Sequence, residues 1–147
     1  MASRLYVFLD TSALIAGIVS SKGAAREVLR MGEAEVIEIV ISKQVLVEAE
    51  RTLLKKFPDL LEPYHTFLEN LDPTIVPDPD REQVRAAAQW IDKEDAPILA
   101  AALAARVDYL ITWNTRHFMK KVVLEQTPFP IGIPADFLDI FRKWLNE

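Results

Sequence analysis

Continuous apolar runs and amphipathic stretches alternate along the chain. The first run, residues 5–9, is short and β-rich and stops at Asp10-Thr-Ser, the pattern of a buried strand. Thr11 or Ser12 can cap a short helix toward Ile18. Gly23 leads into a second helix over 24–31, with Ala25, Val28 and Leu29 on one face, and Gly32 is expected to end it. Residues 36–41 are β-branched without a break and predict a second strand. Ser42 then reads as the N-cap of a helix through Lys56, with Val45, Leu46, Ala49 and Leu53 inward. Pro58 and Pro63 bracket the start of a helix over 59–70, and 72–79 is a loop with a brief extended core. Helices follow over 81–91 and 95–106, the second with small Ala100, Ala101, Leu103 and Ala104 for close packing on a sheet. Residues 109–112 predict a third buried strand, 115–119 a helical turn, and 121–133 a weak strand. Pro134 suits the first turn of a last helix, with Phe137, Ile140, Phe141, Trp144 and Leu145 as a core stripe.

Strands joined by helices imply a mostly parallel central sheet with helices on both faces, a three-layer α/β/α sandwich. No repeat, low-complexity segment or linker divides the chain, so one domain over 1–147 is expected.

Composition narrows the class. At 147 residues and 50% hydrophobic content, there is enough apolar surface for a real core. Charges interrupt every apolar stretch well before ~18 residues, so no transmembrane helix is expected. The start of the chain leads directly into a strand, without a signal-peptide layout. The absence of cysteine excludes disulfides and thiolate–zinc sites and fits a cytoplasmic protein. A net charge of -5 argues against binding nucleic acid by bulk electrostatics, but not against gripping a few phosphates locally.

Three acids carry the candidate chemistry. Asp10 ends the first strand, where open α/β sheets bind ligands; a helix N-cap is its competing role. Glu48 is the polar member of an apolar patch, Leu46, Val47 and Ala49, on the helix after strand two. Glu50 lies about 200° around that helix and cannot face the same site. Asp95 opens the alanine-rich helix just before Pro97, again with capping as the alternative, while Asp92 and Glu94 read as solvated. Asp108 starts a strand whose other end is Thr112, which places it over a dozen ångströms from the site at ~3.3 Å per residue. Asn114, just beyond that strand's carboxyl end, is better placed.

In order along the chain, Phe8-Leu-Asp-Thr-Ser-Ala-Leu-Ile15, Ser42 with Glu48, Asp95-Ala-Pro-Ile-Leu-Ala-Ala-Ala102, Val107 through Phe118 and Pro134-Ala-Asp-Phe-Leu138 resemble the motifs of a PIN domain, the ribonuclease fold of VapC-type toxins. The segment ending Asn114-Thr-Arg-His-Phe118 is similar to the branch of toxin components in toxin–antitoxin systems. The resemblance implies a Mg²⁺- or Mn²⁺-dependent endoribonuclease. Asp10, Glu48 and Asp95 map onto the first three family acids, and Asn114 stands at the fourth, where an amide oxygen can ligate a cation without adding charge. Thr11, Ser12 and Thr112 are placed to orient these ligands. RNA substrate, a cognate antitoxin and a homodimer are the implied partners, and hydrolysis would leave a 5′-phosphate and a 3′-hydroxyl.

Hard cations prefer oxygen ligands, and Mg²⁺ usually keeps several waters, so few carboxylates suffice. His65 reads as a solvated helical residue. His117 is close enough to Asn114 to meet phosphate, with a surface or packed histidine as the alternative. Arg116 is the best-placed RNA-contacting cation, ahead of Lys22, Arg26, Arg51, Lys120 and Lys121. A catalytically weak module that binds RNA or protein is the competing function, motivated by Asn114 and the acidic charge. A small-molecule phosphohydrolase of the haloacid-dehalogenase type would need a second Asp at position 12, which is Ser.

Overall fold

The structure, a computed structural model, describes residues 4–146. Five parallel strands form one sheet: β1 (Tyr6–Leu9), β2 (Glu38–Ser42), β3 (Thr74–Val76), β4 (Tyr109–Ile111) and β5 (Ile131–Gly132), in the order β3-β2-β1-β4-β5. Helices α1 (Thr11–Val19), α2 (Ala24–Glu33), α3 (Lys43–Lys56), α4 (Leu61–Leu71), α5 (Arg81–Ala87), α6 (Ala96–Ala105), α7 (Thr115–Phe118), α8 (Lys121–Gln126) and α9 (Pro134–Leu145) connect and cover it. The expected α/β/α sandwich with a parallel sheet is the architecture found.

A parallel sheet covered on both faces needs strands that are apolar at successive positions, not alternating ones. β1 meets that demand with Val7, Phe8 and Leu9, all buried, and Phe8 stands in register with Val40 on one side and Leu110 on the other. Ile39, Val40 and Ile41 of β2 and all three residues of β4 are buried too. Small side chains bring α6 close: Ala96, Ala100, Ala101 and Ala102 are buried beside Ile98 and Leu99. Each large aliphatic side chain buried this way contributes roughly 1.5–3 kcal/mol.

β1 lies at the middle of the sheet, with β2 and β4 as neighbours. The chain builds outward from β1 through β2 to β3, then returns to the other side of β1 for β4 and β5. The carboxyl ends of β1 and β4 therefore border the crevice where the strand order reverses, the place at which open α/β sheets hold ligands.

Several local readings differ from the sequence expectation. Residues 121–126 are the helix α8, and only Ile131–Gly132 pairs with β4. A two-residue strand leaves almost no periodicity to read. The helix from Arg81 stops at Ala87, and 88–95 forms a turn-rich bridge to α6. A single 3-10 turn, Pro58–Leu60, precedes α4. Of the C-terminal stripe, Phe137 and Phe141 are buried, whereas Ile140, Trp144 and Leu145 are exposed. Gly32 does not end α2, which runs to Glu33; a Cβ there would lie 2.6 Å from Ile39 Cγ1 and 2.7 Å from Leu71 Cδ1. That glycine serves close packing of α2 on the sheet and α4.

Tyr64 of α4 is enclosed, and its hydroxyl has no hydrogen-bond partner among the described residues. Burial, with the Glu50 carboxylate adding to it, pushes the phenol up to about 12. A desolvated, unpaired hydroxyl costs stability, so Tyr64→Phe is expected to leave the unfolding free energy unchanged or raise it by up to ~1 kcal/mol. A thermal melt by circular dichroism checks this, and a clear drop in Tm would show that the hydroxyl is used. No helix among the described residues is long and apolar enough to cross a membrane.

Candidate functional site

Asp10 follows β1 directly and is 3% exposed. Its Oδ1 accepts from Ala13 N–H at 2.9 Å and from Ser12 Oγ–H at 2.7 Å. Its Oδ2 accepts from Thr112 Oγ–H at 2.5 Å. The carboxylate thus caps α1 and faces the crevice at once, so the two roles weighed from sequence coexist. Burial pushes its pKa up; the Thr112, Ser12 and Ala13 donors pull it back, and the charge of Asp95 adds to the rise. Three donors hold the side chain in one orientation although its charge is costly there.

The supporting hydroxyls are tied to backbone in turn. Ser12 Oγ accepts from Trp113 N–H at 3.0 Å, and Thr112 Oγ1 accepts from Asn114 N–H at 2.8 Å. These bonds stitch the segment after β1 to the segment after β4. Successive polarised bonds strengthen one another, and their geometry is what orients Asp10.

Glu48 lies on α3, which starts at the carboxyl end of β2 with Ser42 as N-cap, accepting from Val45 N–H at 3.3 Å. Thr11 Oγ–H donates to Glu48 Oε1 at 2.7 Å, and Gln44 Nε2–H donates to Oε2 at 3.3 Å. Glu50 points elsewhere, toward His65 at 3.9 Å. Asp95 stands at the N-terminus of α6 but makes no side-chain capping bond, so its carboxylate is free of the role that competed for it. His117 Nδ1 lies 2.7 Å from Asp95 Oδ2, and Asn114 Nδ2 lies 3.5 Å from Oδ1. Asp108 sits at the opposite edge of the sheet, where its carboxylate accepts from Tyr6 N–H at 2.7 Å.

The structure brings Asp10, Thr11, Ser12, Glu48, Asp95 and Asn114 to the wall of one cleft of about 390 Å³, together with Glu94, Ile15, Ile98 and Phe118. Asp10, Glu48 and Asp95 do not form a group whose ligand atoms all lie within 4.8 Å of one another. Among the described residues, the His and carboxylate side chains whose ligand atoms all lie within 4.8 Å of one another are Asp92, Asp95 and His117. Asp10 and Glu48 face the same cleft at wider spacing. A second depression, of about 300 Å³ and with Arg4, Glu33, Glu35, Glu38 and Asp72 among its lining, lies at the amino edge of the sheet and has no catalytic constellation.

His117 is therefore neither a plain surface histidine nor a free phosphate contact. Its Nε2 lies 3.3 Å from Asp92 Oδ2 and its Nδ1 on Asp95, so the ring joins two carboxylates. Lys120 reaches Asp92 at 3.5 Å. Asp92 and Glu94, which read as solvated from sequence, and Gln44, which the sequence reading does not single out, are neighbours of the site. Gln44 had a readable signal, because it precedes Glu48 by four on one helix face. Asp92 had a weaker one: it precedes Asp95 by three, and the turn that closes on its carbonyl, with Asp95 N–H donating at 3.0 Å, swings both acids to one side. Arg26, by contrast, is not available to RNA. Its guanidinium donates to Gly17 O and Ile18 O and lies over the Phe67 ring at 5.1 Å.

The donor set suits a hard divalent cation. It offers carboxylate oxygens that are already oriented by hydroxyl and amide donors, one amide and one imidazole, with room for water in the cleft. Without a cation, four carboxylates facing one cleft would repel an anionic substrate.

Comparison with known proteins agrees with this reading of the fold. Among curated proteins, none matches the chain. Solved structures of similar fold include PAE2754 from Pyrobaculum aerophilum, at 18% identity and a TM-score of 0.62 over 94% of this chain and 96% of that one. The DNA-bound VapBC of Salmonella typhimurium is similar at 19% identity, with a TM-score of 0.64 over 88% of this chain and 98% of that one. Mycobacterium tuberculosis VapC20, described as a sarcin–ricin loop cleaving toxin, is similar at 11% identity, with a TM-score of 0.56 over 82% and 95% of the two chains. Residues 6–116 match the PIN domain family, a span that begins at β1 and runs through Asp10, Glu48, Asp95 and Asn114. The strand order, the acids at the reversal point and this match agree: the chain belongs to the PIN domain family.

Proposed function

We propose that this protein is a metal-dependent endoribonuclease that hydrolyses RNA phosphodiester bonds in the cleft of Asp10, Glu48 and Asp95. The observation that carries the reading is the convergence of these acids, from three separate elements, on one cleft at the carboxyl ends of β1 and β4. A Mg²⁺ or Mn²⁺ ion would supply charge neutralisation at the phosphate and lower the pKa of an attacking water. Asp10, Glu48 and Asp95 would hold it, with the Asn114 amide and the His117 ring beside Asp95.

The chain's own residues do the positioning. Thr112, Ser12 and the Ala13 N–H fix Asp10. Thr11 and Gln44 fix Glu48. His117 fixes Asp95, and Asp92 holds the other side of that ring. Arg116, exposed on α7 two residues beyond Asn114, is placed to meet a phosphate of a looped or single strand. The fold shared with VapBC and VapC20 supports a toxin role with a cognate antitoxin as partner; a single-domain chain acting as a cytoplasmic homodimer completes the proposal.

The test is Mn²⁺-dependent cleavage of a mixed RNA pool by wild type, Asp10→Ala and Asp95→Ala. Cleavage by the wild type alone, yielding 5′-phosphate ends, supports the reading; equal cleavage by all three assigns it to a contaminant. No cleavage, with RNA binding unchanged in Asp10→Asn, would instead make this a binding module. In the same samples, saturating Mn²⁺ is expected to raise the wild-type Tm, since a cation at about 100 times its Kd stabilises by ~2.7 kcal/mol, and to do little for Asp95→Ala.

A further inference from the structure

His117 presents each of its two ring nitrogens to a different carboxylate. Nδ1 lies 2.7 Å from Asp95 Oδ2, and Nε2 lies 3.3 Å from Asp92 Oδ2. An ionised carboxylate only accepts, and a neutral imidazole carries one N–H. The shorter contact has hydrogen-bond length, so that N–H is on Nδ1 and donates to Asp95. The Nε2 lone pair then faces the Asp92 oxygen, and a positive species is needed between them. The length of this contact decides which. At 3.3 Å it exceeds the ~2.7–2.9 Å of a hydrogen bond from an imidazolium to a carboxylate. It matches the edge between two ligands of a tetrahedral cation bound at ~2.0–2.1 Å, which is about 3.3–3.4 Å. Lys120 reaches the other Asp92 oxygen, Oδ1, at 3.5 Å and leaves Oδ2 to the ring. Both residues have fixed backbones. Asp92 O accepts from the N–H groups of Asp95 and Ala96 at 3.0 Å each, and His117 N–H donates to Asn114 O at 3.2 Å. The ring is partly exposed and Asp92 half exposed, so water can complete a coordination shell. Neither residue lines the cleft that Asp10 and Glu48 share; this position lies beside it, joined to it through Asp95.

From this geometry we infer that His117 Nε2 and Asp92 Oδ2 bind a transition-metal cation of the Zn²⁺ class, at a position separate from the cleft of Asp10 and Glu48. Asp95 is then the carboxylate that orients the ring through Nδ1–H, the usual support of a metal-bound histidine. The donor set selects the class of ion. Imidazole suits Zn²⁺, Ni²⁺ and Cu²⁺, whereas Mg²⁺ prefers oxygen alone and gives up its waters reluctantly. The chain has no cysteine and only two histidines, so few places compete. The other histidine, His65, faces one carboxylate, Glu50, at 3.9 Å, with no second carboxylate to hold its ring among the described residues. Binding here needs neither RNA nor cleavage, so the inference stands or falls apart from the ribonuclease reading.

The experiment titrates Zn²⁺ into the metal-free full chain, in competition with a chromophoric chelator and in a large excess of Mg²⁺. The wild type should take up one Zn²⁺ that Mg²⁺ does not displace. Asp92→Ala and His117→Ala should each lower its affinity at least about tenfold, while Asp10→Asn and His65→Ala should keep it within about twofold. Circular dichroism melts in chelator show that each variant is folded, and Asp92, half exposed, tolerates the change. Nitrogen NMR of the ring gives a second readout: Zn²⁺ should move the Nε2 resonance of His117 and leave Nδ1 protonated. Zn²⁺ uptake lost in Asp10→Asn and kept in Asp92→Ala places the ion in the cleft and overturns the inference. Uptake lost only in His65→Ala assigns it to that surface histidine and overturns it as well. No uptake by the wild type, with both ring nitrogens of His117 protonated, leaves a proton alone between Nε2 and Asp92, and the inference fails. None of these three results touches the ribonuclease reading, which rests on Mn²⁺, Asp10 and RNA cleavage.

Discussion

Asp10→Asn should lower RNA hydrolysis on the order of a thousandfold and, in chelator at pH 7–8, melt at a higher temperature than the wild type. The two effects share one cause. Asp10 is buried with three donors aimed at it, an arrangement that fits a carboxylate yet exacts a desolvation cost for its charge. Asparagine keeps the shape: its carbonyl oxygen can accept from Ser12 and Ala13, and its amide can donate to Thr112 Oγ1. It removes the charge that an electrostatic site depends on, where loss of one key group commonly costs 10²–10³ in rate.

The pH dependence has a definite sign. Burial raises the folded-state pKa of Asp10 above its ordinary value, so the folded chain binds this proton more tightly than the unfolded chain does. Below about pH 3.9, the unfolded value, the carboxyl is neutral in both states and the Asn variant has no advantage from it. As pH rises through the folded pKa, the wild type loses that stability, and the gap in favour of Asn opens to its full size. Saturating Mn²⁺ should reverse the order, because the wild type then gains binding free energy that the variant does not. Thermal melts at several pH values, with chelator and with Mn²⁺, read all of this. An Asn variant that is less stable than wild type in chelator at pH 8 would mean that the charge of Asp10 is well solvated or paired.

His117→Ala should reduce catalytic efficiency about 10–100-fold and weaken Mn²⁺ binding by a similar factor, the range typical when a side chain that orients a ligand is lost. The ring lies 2.7 Å from Asp95 Oδ2 and 3.3 Å from Asp92 Oδ2, and it is the short contact that fixes Asp95. Asn114 cannot replace it, since its amide nitrogen is 3.5 Å from the other oxygen of Asp95. Asp92→Asn should cost less, because Asp92 is half exposed and reaches the site only through the ring. His117→Gln, which can still donate to Asp95, should recover part of the loss. Calorimetric Mn²⁺ titration separates this from general destabilisation. Unchanged affinity in His117→Ala would show that Asp95 is held by other means.

The elements with long, strong patterns were readable. β1 stands out as an unbroken apolar run, the N-cap of α3 as Ser42, and α6 as an alanine-rich face. Strand direction alone puts Asp108 at the far edge of the sheet, where its carboxylate accepts from Tyr6 N–H. The failures share one character, reliance on a partner distant in sequence. α8 and β5 are short, and β5 exists only because β4 pairs with it. The outer end of α9 is apolar but exposed: Phe137 and Phe141 are buried, while Ile140, Trp144 and Leu145 face solvent.

From its residues alone this chain declares an alternation of strands and helices, an acid after the first strand, and polar neighbours of the right type around it. Local hydrogen bonding and periodicity decide those features, and both are written in consecutive residues. What only the folded molecule decides is spacing. Asp10, Glu48 and Asp95 share a cleft, while Asp92, which reads as solvated, and His117, which reads as a phosphate contact or a packed histidine, close around Asp95. That outcome depends on how the turn 92–95 and the short helix α7 pack beside β1 and β4, a balance of side-chain contacts between elements that no stretch of sequence contains by itself.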